Sequence, residues 1–327
     1  MHRLDRRLHL YRGRPRDGLP PSALASADGP RERAARLVRG ALRTGRPVVV
    51  RHARWSAVPW WLDDLAIDLQ LDARPLDGRR LELAGVGRGD EGWIALPDAL
   101  SRCLGVASAP RAQAPTNREA FRVRAGLVLR KARSLRRRKV VLCVGADALG
   151  YELLQDLCAA WEEADTEMTP GTSPLLVLAC ATGGQSLALR GAFAPFLADP
   201  DRGEAVRMVA EILGGDDVPA LEALVDAVGT VPAFLLAAAR GLLSDRSLAP
   251  RDALGGLQRE LADAVGVALT RDEQAERLET LANGPATYLP AVDNLLLRGG
   301  LVTTGPGPQG RQSRLRSPLI AEIVRGT

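Results

Sequence analysis

Lysine is almost absent from this chain: of 44 basic residues only Lys131 and Lys139 are lysines, and arginine supplies the rest. Any chemistry that requires a lysine at a particular place is thereby restricted to two positions. Cysteine is scarce too. Cys103, Cys143, Cys158 and Cys180 form no CxxC pair and have no histidine cluster nearby, which excludes a zinc site and a secreted disulfide framework and leaves buried, reduced thiols. The three histidines, His2, His9 and His52, are scattered, and no GxSxG elbow is present to build a triad around them. No stretch approaches the roughly 20 consecutive apolar residues that a membrane helix needs, and the basic opening Met1 to Arg16 is not followed by a signal-peptide core. A cytoplasmic protein without membrane contact, metal or catalytic residues of these kinds is expected.

What is present is a globular composition, 327 residues with 46% hydrophobic side chains, long enough for two or three domains. The net charge of +5 permits contact with nucleic acid, but an excess of arginine does not by itself establish it.

Residues 1–28 are basic and then rich in Pro, Gly, Ser and Ala, a loosely ordered lead-in. From Gly29, apolar residues at Ala34, Leu37, Val38, Ala41 and Leu42 predict a helix, and Pro47 to Val50 a strand. Pro59 suits the first turn of a helix running to about Leu71. Residues 79–84 suit a strand, whereas Gly85 to Leu96 carries no clear pattern. A basic amphipathic helix is expected over Asn117 to Leu135, then a buried strand Lys139 to Val144, a helix Leu149 to Glu163, and a second fully apolar strand Pro174 to Cys180. Strand, helix and strand in that order make a βαβ unit and a doubly wound α/β core. Beyond Pro200 three helical patterns follow, Glu204 to Leu213, Pro219 to Val228 and Pro232 to Leu243. Three more, Leu257 to Leu269, Asp272 to Ala282 and Leu289 to Arg298, precede a hairpin of Leu301 to Thr304 and Arg311 to Arg316, the pattern of a winged helix.

Over about residues 29–327 this layout resembles the AAA+ and STAND families of P-loop ATPases. Gly29-Pro30-Arg31-Glu32-Arg33 looks like their "GRE" box, and Arg46 to Val50 looks like the strand that feeds the P-loop. Lys139 to Val144 is similar to the Walker B strand, Leu175 to Thr182 to the following sensor strand, and Ala227 to Leu236, with Gly229 and Pro232, to the lid motif "GGxP". The resemblance implies a P-loop-like three-layer core with a parallel sheet at 29–198, a helical lid at 199–250 and a winged-helix-like domain at 251–327. It also shows what is missing. The P-loop position, Arg51 to Pro59, contains neither glycine nor lysine, although a phosphate cradle needs glycines for positive φ and close approach and a lysine for the terminal phosphates. Gly145 and Ala146 stand where the Walker B Asp-Glu pair would hold magnesium and orient water.

The resemblance therefore implies a pseudo-ATPase acting as a scaffold, sensor or regulatory subunit on another protein, such as an active ATPase or effector subunit, with no cofactor. Arg51, Arg54, Ser56 and Asp147 make a degenerate nucleotide site; Asp147 is read as a turn or cap residue. One alternative is ATP and magnesium bound without efficient turnover, with Arg51 or Arg54 on phosphate. Another is a DNA-associated adaptor. Arg130, Lys131, Arg133, Arg136, Arg137, Arg138 and Lys139 form either a solvated helix face or a track for a phosphate backbone, and Arg311, Arg314 and Arg316 are expected on one side of the wing strand. Against DNA, the presumed recognition helix offers Asp293 and Asn294 with only Arg298 as a cation. Trp55, Trp60 and Trp61 are expected either to pack into the core or nucleotide space or to form a partner patch. The glycine-dense Gly85 to Gly89 is a turn, with a phosphate loop as its alternative.

Overall fold

The computed structural model describes residues 29–72, 75–86, 90–107, 118–133, 138–167, 172–181, 192–213, 217–308 and 310–326. The expected lead-in 1–28, Gly87 to Gly89, Arg136 and Arg137 lie outside them. The described chain forms two compact units. One contains residues 34–52 and 58–196; the other contains 29–33, 53–57 and 197–326.

The first unit is a parallel sheet flanked by helices. Its elements are α1 (Pro30–Arg43, from Ala34 onward), β1 (Val48–His52), α2 (Val58–Leu71), β2 (Asp77–Glu82), α3 (Asp90–Leu104), α4 (Arg118–Ala132), β3 (Lys139–Val144), α5 (Tyr151–Thr166), β4 (Leu175–Ala181) and β5 (Phe196–Leu197), the last at the boundary of the two units. The strand order is β2-β3-β4-β1-β5. Register pairs such as Asp77 with Lys139, Val140 with Leu175 and Val48 with Val177 are parallel. The central strands β3 and β4 are continuous apolar runs because helices cover both of their faces, so neither face needs a polar alternate. Leu142, Leu176, Val177 and Leu178 are fully buried.

The structure adds α3, where the sequence showed no clear pattern. Its buried Leu96, Leu100 and Leu104 recur at i, i+4 and i+8, a period masked by Pro97 and by the glycines just before it. The strand expected at 79–84 begins two residues earlier. The cysteines are unpaired; burial pushes the Cys103 thiol up to about 11 and those of Cys158 and Cys180 to about 12, so they stay protonated and inert at neutral pH.

The second unit holds α6 (Arg202–Leu213), α7 (Val218–Val228), α8 (Pro232–Ser244), α9 (Gly256–Leu269), α10 (Asp272–Ala282), α11 (Pro290–Arg298) and α12 (Pro318–Gly326). An antiparallel sheet, β6 (Ala286–Thr287), β7 (Val302–Gly307) and β8 (Gly310–Leu315), has the order β6-β8-β7. The three helices and the hairpin expected at the C-terminal end are present. One continuous set of buried side chains runs from Ala205 through Phe234, Leu261 and Leu278 to Ile320. Among the described residues no helix is long and apolar enough to cross a membrane.

Candidate functional site

The loop Ala53–Ala57 follows β1 and precedes α2, the position at which a P-loop would lie. Its backbone is unusual. Trp55 and Ala57, with φ of 62° and 49°, are the two non-glycine residues of positive φ among those described. Left-handed backbone costs a residue with a Cβ on the order of 1–3 kcal/mol and persists only where the surroundings enforce it. The alternation Trp55, Ala57 is what glycines would adopt freely; here side chains occupy those positions.

The enforcement comes from residues of the second unit, to which the loop belongs. Three consecutive loop carbonyls accept hydrogen bonds: Arg54 from the Arg316 Nη1, Trp55 from the Ala233 amide at 3.0 Å, and Ser56 from the Arg31 Nη1 at 2.9 Å. Arg316 is buried and forks onto Asp199, with Nε to Oδ2 and Nη2 to Oδ1 both at 2.5 Å, while Nη2 also donates to Ser56 Oγ at 3.0 Å. The planar guanidinium suits this, because its five donors can serve one carboxylate and two loop oxygens at once. The Trp55 ring lies 5.3 Å from that of the fully buried Phe234, with the planes tilted by 44°. Gly300, at φ 78°, permits the approach: a Cβ there would stand 2.8 Å from Arg54 Cβ and 3.3 Å from the Trp55 ring.

Arg54 is drawn to Trp55, with its guanidinium 4.5 Å from the ring centroid, and lies 3.9 Å from the Glu260 carboxylate. Arg51 is exposed at the end of β1, and its amide donates to Pro195 O at 2.9 Å. Asp147 Oδ2 accepts from the Ala181 amide at 2.7 Å, tying the ends of β3 and β4 together. The four residues proposed from sequence thus divide. Arg54 and Ser56 share the loop, whereas Arg51 and Asp147 sit at strand ends of the first unit. Trp61 is a core residue.

The basic groups divide as well. Arg130 is paired with Glu167 at 2.5 Å, and Lys139 with Asp77. Arg138 donates to Ser173 O at 2.7 Å, and burial pushes its guanidinium below the usual arginine value. Lys131 and Arg133 are exposed. The expected single face of Arg311, Arg314 and Arg316 is corrected: residues three apart on a strand point to opposite sides, and Arg316 lies past the end of β8, buried. Arg311 instead covers the Tyr288 ring at 4.3 Å and donates to Thr304 Oγ1, and Arg314 is exposed. Asp293 is not on a recognition surface. It is buried, ion-paired with Arg277.

Sequence reasoning missed Asp199, Ala233, Phe234 and Gly300. Asp199 and Arg316 stand 117 residues apart, so no local spacing could reveal their pairing.

No protein-family model matches the chain, and no curated protein matches it in sequence. Solved structures do. A Walker-type ATPase of Pyrococcus abyssi is 13% identical, with 90% of this chain and 95% of that one covered and a TM-score of 0.57. Cdc6p of Pyrobaculum aerophilum is 12% identical over 90% and 94%, with a TM-score of 0.49, and the ORC2 protein of Aeropyrum pernix 12% over 90% and 93%, with a TM-score of 0.47. At such identities the likeness is one of fold: the parallel five-stranded sheet with its helices is that of the P-loop ATPases.

Proposed function

We propose that this chain is a P-loop ATPase homologue that does not turn over ATP and that acts as a scaffold, sensor or regulatory subunit through contacts with another protein. The observation that carries the reading is the loop Ala53–Ala57. It has no lysine, its two left-handed positions carry side chains, its Trp55 is packed on Phe234, and its carbonyls and Ser56 hydroxyl are engaged by Arg316 and Arg31. Arg54, the nearest candidate to replace a lysine, stacks on Trp55 beside Glu260. Gly145 and Ala146 leave no carboxylate where magnesium would be held, and Asp147 is engaged by a backbone amide. The C-terminal helices and hairpin are read as a winged-helix-like domain serving protein contact, since Asp293 is consumed inside it by Arg277 and Arg316 is committed to Asp199 and the loop.

One observation favours the reading of ATP bound without turnover. Among the described residues none accepts a hydrogen bond from the amides of Trp55, Ser56 or Ala57, and successive unpaired amides in alternating conformation can hold an anion. Thermal-shift titration of the full chain with Mg-ATP, run beside a turnover assay, separates the two. A scaffold shows no turnover and, with any dissociation constant above the ligand concentration, gains at most about 0.4 kcal/mol, a shift of roughly 1–2 °C. A saturable shift abolished in Arg51→Ala or Arg54→Ala would overturn the scaffold reading in favour of nucleotide binding. The DNA-adaptor reading requires salt-dependent duplex binding whose slope falls when Lys131 and Arg133 are removed; the pairing of Arg130 and the burial of Arg138 and Arg316 weigh against it.

A further inference from the structure

Glu204 is the one acidic side chain among the described residues whose two carboxylate oxygens are both buried and lack a hydrogen-bond partner of good geometry. It stands in the first turn of α6 and is fully buried. The Gly29 backbone lies directly over it, so that a Cβ on Gly29 would come within 2.4 Å of Oε1. An ionised carboxylate in such a place is cut off from bulk water, and the weakly placed Arg31 amide compensates little of its lost hydration.

Among the described residues the charged groups around it are few. Arg31, on the segment that packs over it, favours the anion through its guanidinium and its nearby amide, and Arg207 of α6 favours it more weakly, while Asp201, just before α6, opposes it. From α7, Glu222 and Asp226 are both committed to Arg202. The residues that α8 brings to the same core, Phe234, Leu235, Ala238 and Ala239, carry no charge. Among the described residues Arg31 is therefore the principal cation acting on Glu204, and it is also the donor to the Ser56 carbonyl of the loop Ala53–Ala57.

We propose that Glu204 is a proton-linked switch on this loop, acting through Arg31: protonated, it leaves the Arg31 guanidinium on the Ser56 carbonyl; ionised, it draws that guanidinium to itself and loosens the loop. Burial pushes the Glu204 carboxyl up to about 7, with Asp201 adding to the rise and Arg31 and Arg207 opposing it. The sign follows from that direction. A carboxyl raised above its unfolded value of about 4.5 favours the anchored state at low pH, and the anchoring weakens as pH rises from there to about 7. The switch concerns how the loop is held and not what it binds, so it stands or falls separately from the nucleotide titration above.

Tryptic cleavage after Arg54 in the full chain, followed by mass spectrometry and normalised at each pH to a free peptide substrate, reads the opening of the loop. Between pH 5.5 and 8 the normalised rate is expected to rise on the order of ten- to a hundredfold. Glu204→Gln keeps the shape, removes the charge and is expected to hold the low rate throughout; Arg31→Gln is expected to cleave rapidly at every pH. A flat wild-type profile would overturn the proposal, and so would a Glu204→Gln profile that follows the wild type. The wild-type profile alone decides the matter should either variant fail to fold.

Discussion

Arg316→Ala is expected to destabilise the second unit by about 3–5 kcal/mol, the cost of removing one partner from a buried ion pair. The change leaves Asp199 without the fork that neutralises it and deprives Arg54 O and Ser56 Oγ of their donor. It also removes part of what enforces the left-handed backbone of Trp55, so the loop should relax. In calorimetry of the full chain, the transition of this unit should fall by roughly 6–20 °C. Arg316→Lys should recover less than half of the loss, because an ammonium cannot serve a carboxylate bidentately and reach two further oxygens. An unchanged transition in Arg316→Ala would mean that water replaces the guanidinium and that the loop is held by Trp55 packing alone.

Arg277→Ala is expected to cost a similar amount, about 3–5 kcal/mol, for a more local reason. Asp293 is fully buried and accepts from Arg277 Nε at 2.7 Å and Nη2 at 2.8 Å, from the Leu289 amide at 2.7 Å and from Ser313 Oγ at 2.6 Å. Arg277 also donates to Thr287 O at 2.6 Å, so one guanidinium joins α10, α11 and the β6 strand. Burial pushes the Asp293 carboxyl up, and the hydrogen bonds from Arg277, Ser313 and Leu289 together outweigh it and hold it below the usual value. A lowered carboxyl contributes stability above the unfolded value of about 3.8 and loses it as pH falls through the folded value. Wild type should thus lose stability progressively below about pH 4, and Asp293→Asn should show a shallower acid limb in urea unfolding. Equal acid limbs would remove Asp293 from the titration.

Much of the first unit was legible because its signals are local. The runs Val140 to Val144 and Leu175 to Cys180 announce strands buried on both faces, and the helical spacing of Ala34, Val38, Ala41 and Leu42 announces the face that α1 buries, although Leu37, expected with them, is exposed. The hairpin and the helices of the second unit up to Arg298 were legible for the same reason, whereas α12, with buried Leu319, Ile320 and Val324, was not read from the sequence. The strands β5 and β6, of two residues each, are too short to carry a period, and Pro97 interrupted the pattern of α3.

The candidate site was legible only as an absence. The sequence by itself determined that no glycine and no lysine stand between β1 and α2, because those are facts of residue identity, and with them that any phosphate cradle there would lack its usual parts. Only the tertiary structure decided what stands in their place. Trp55 and Ala57 adopt the conformation that glycine would adopt without cost, and they do so because Arg316, Arg31, Ala233 and Phe234 hold the loop across separations of up to 262 residues. A backbone conformation that the residue itself disfavours cannot be read from that residue; it is set by the buried partners that over-determine it.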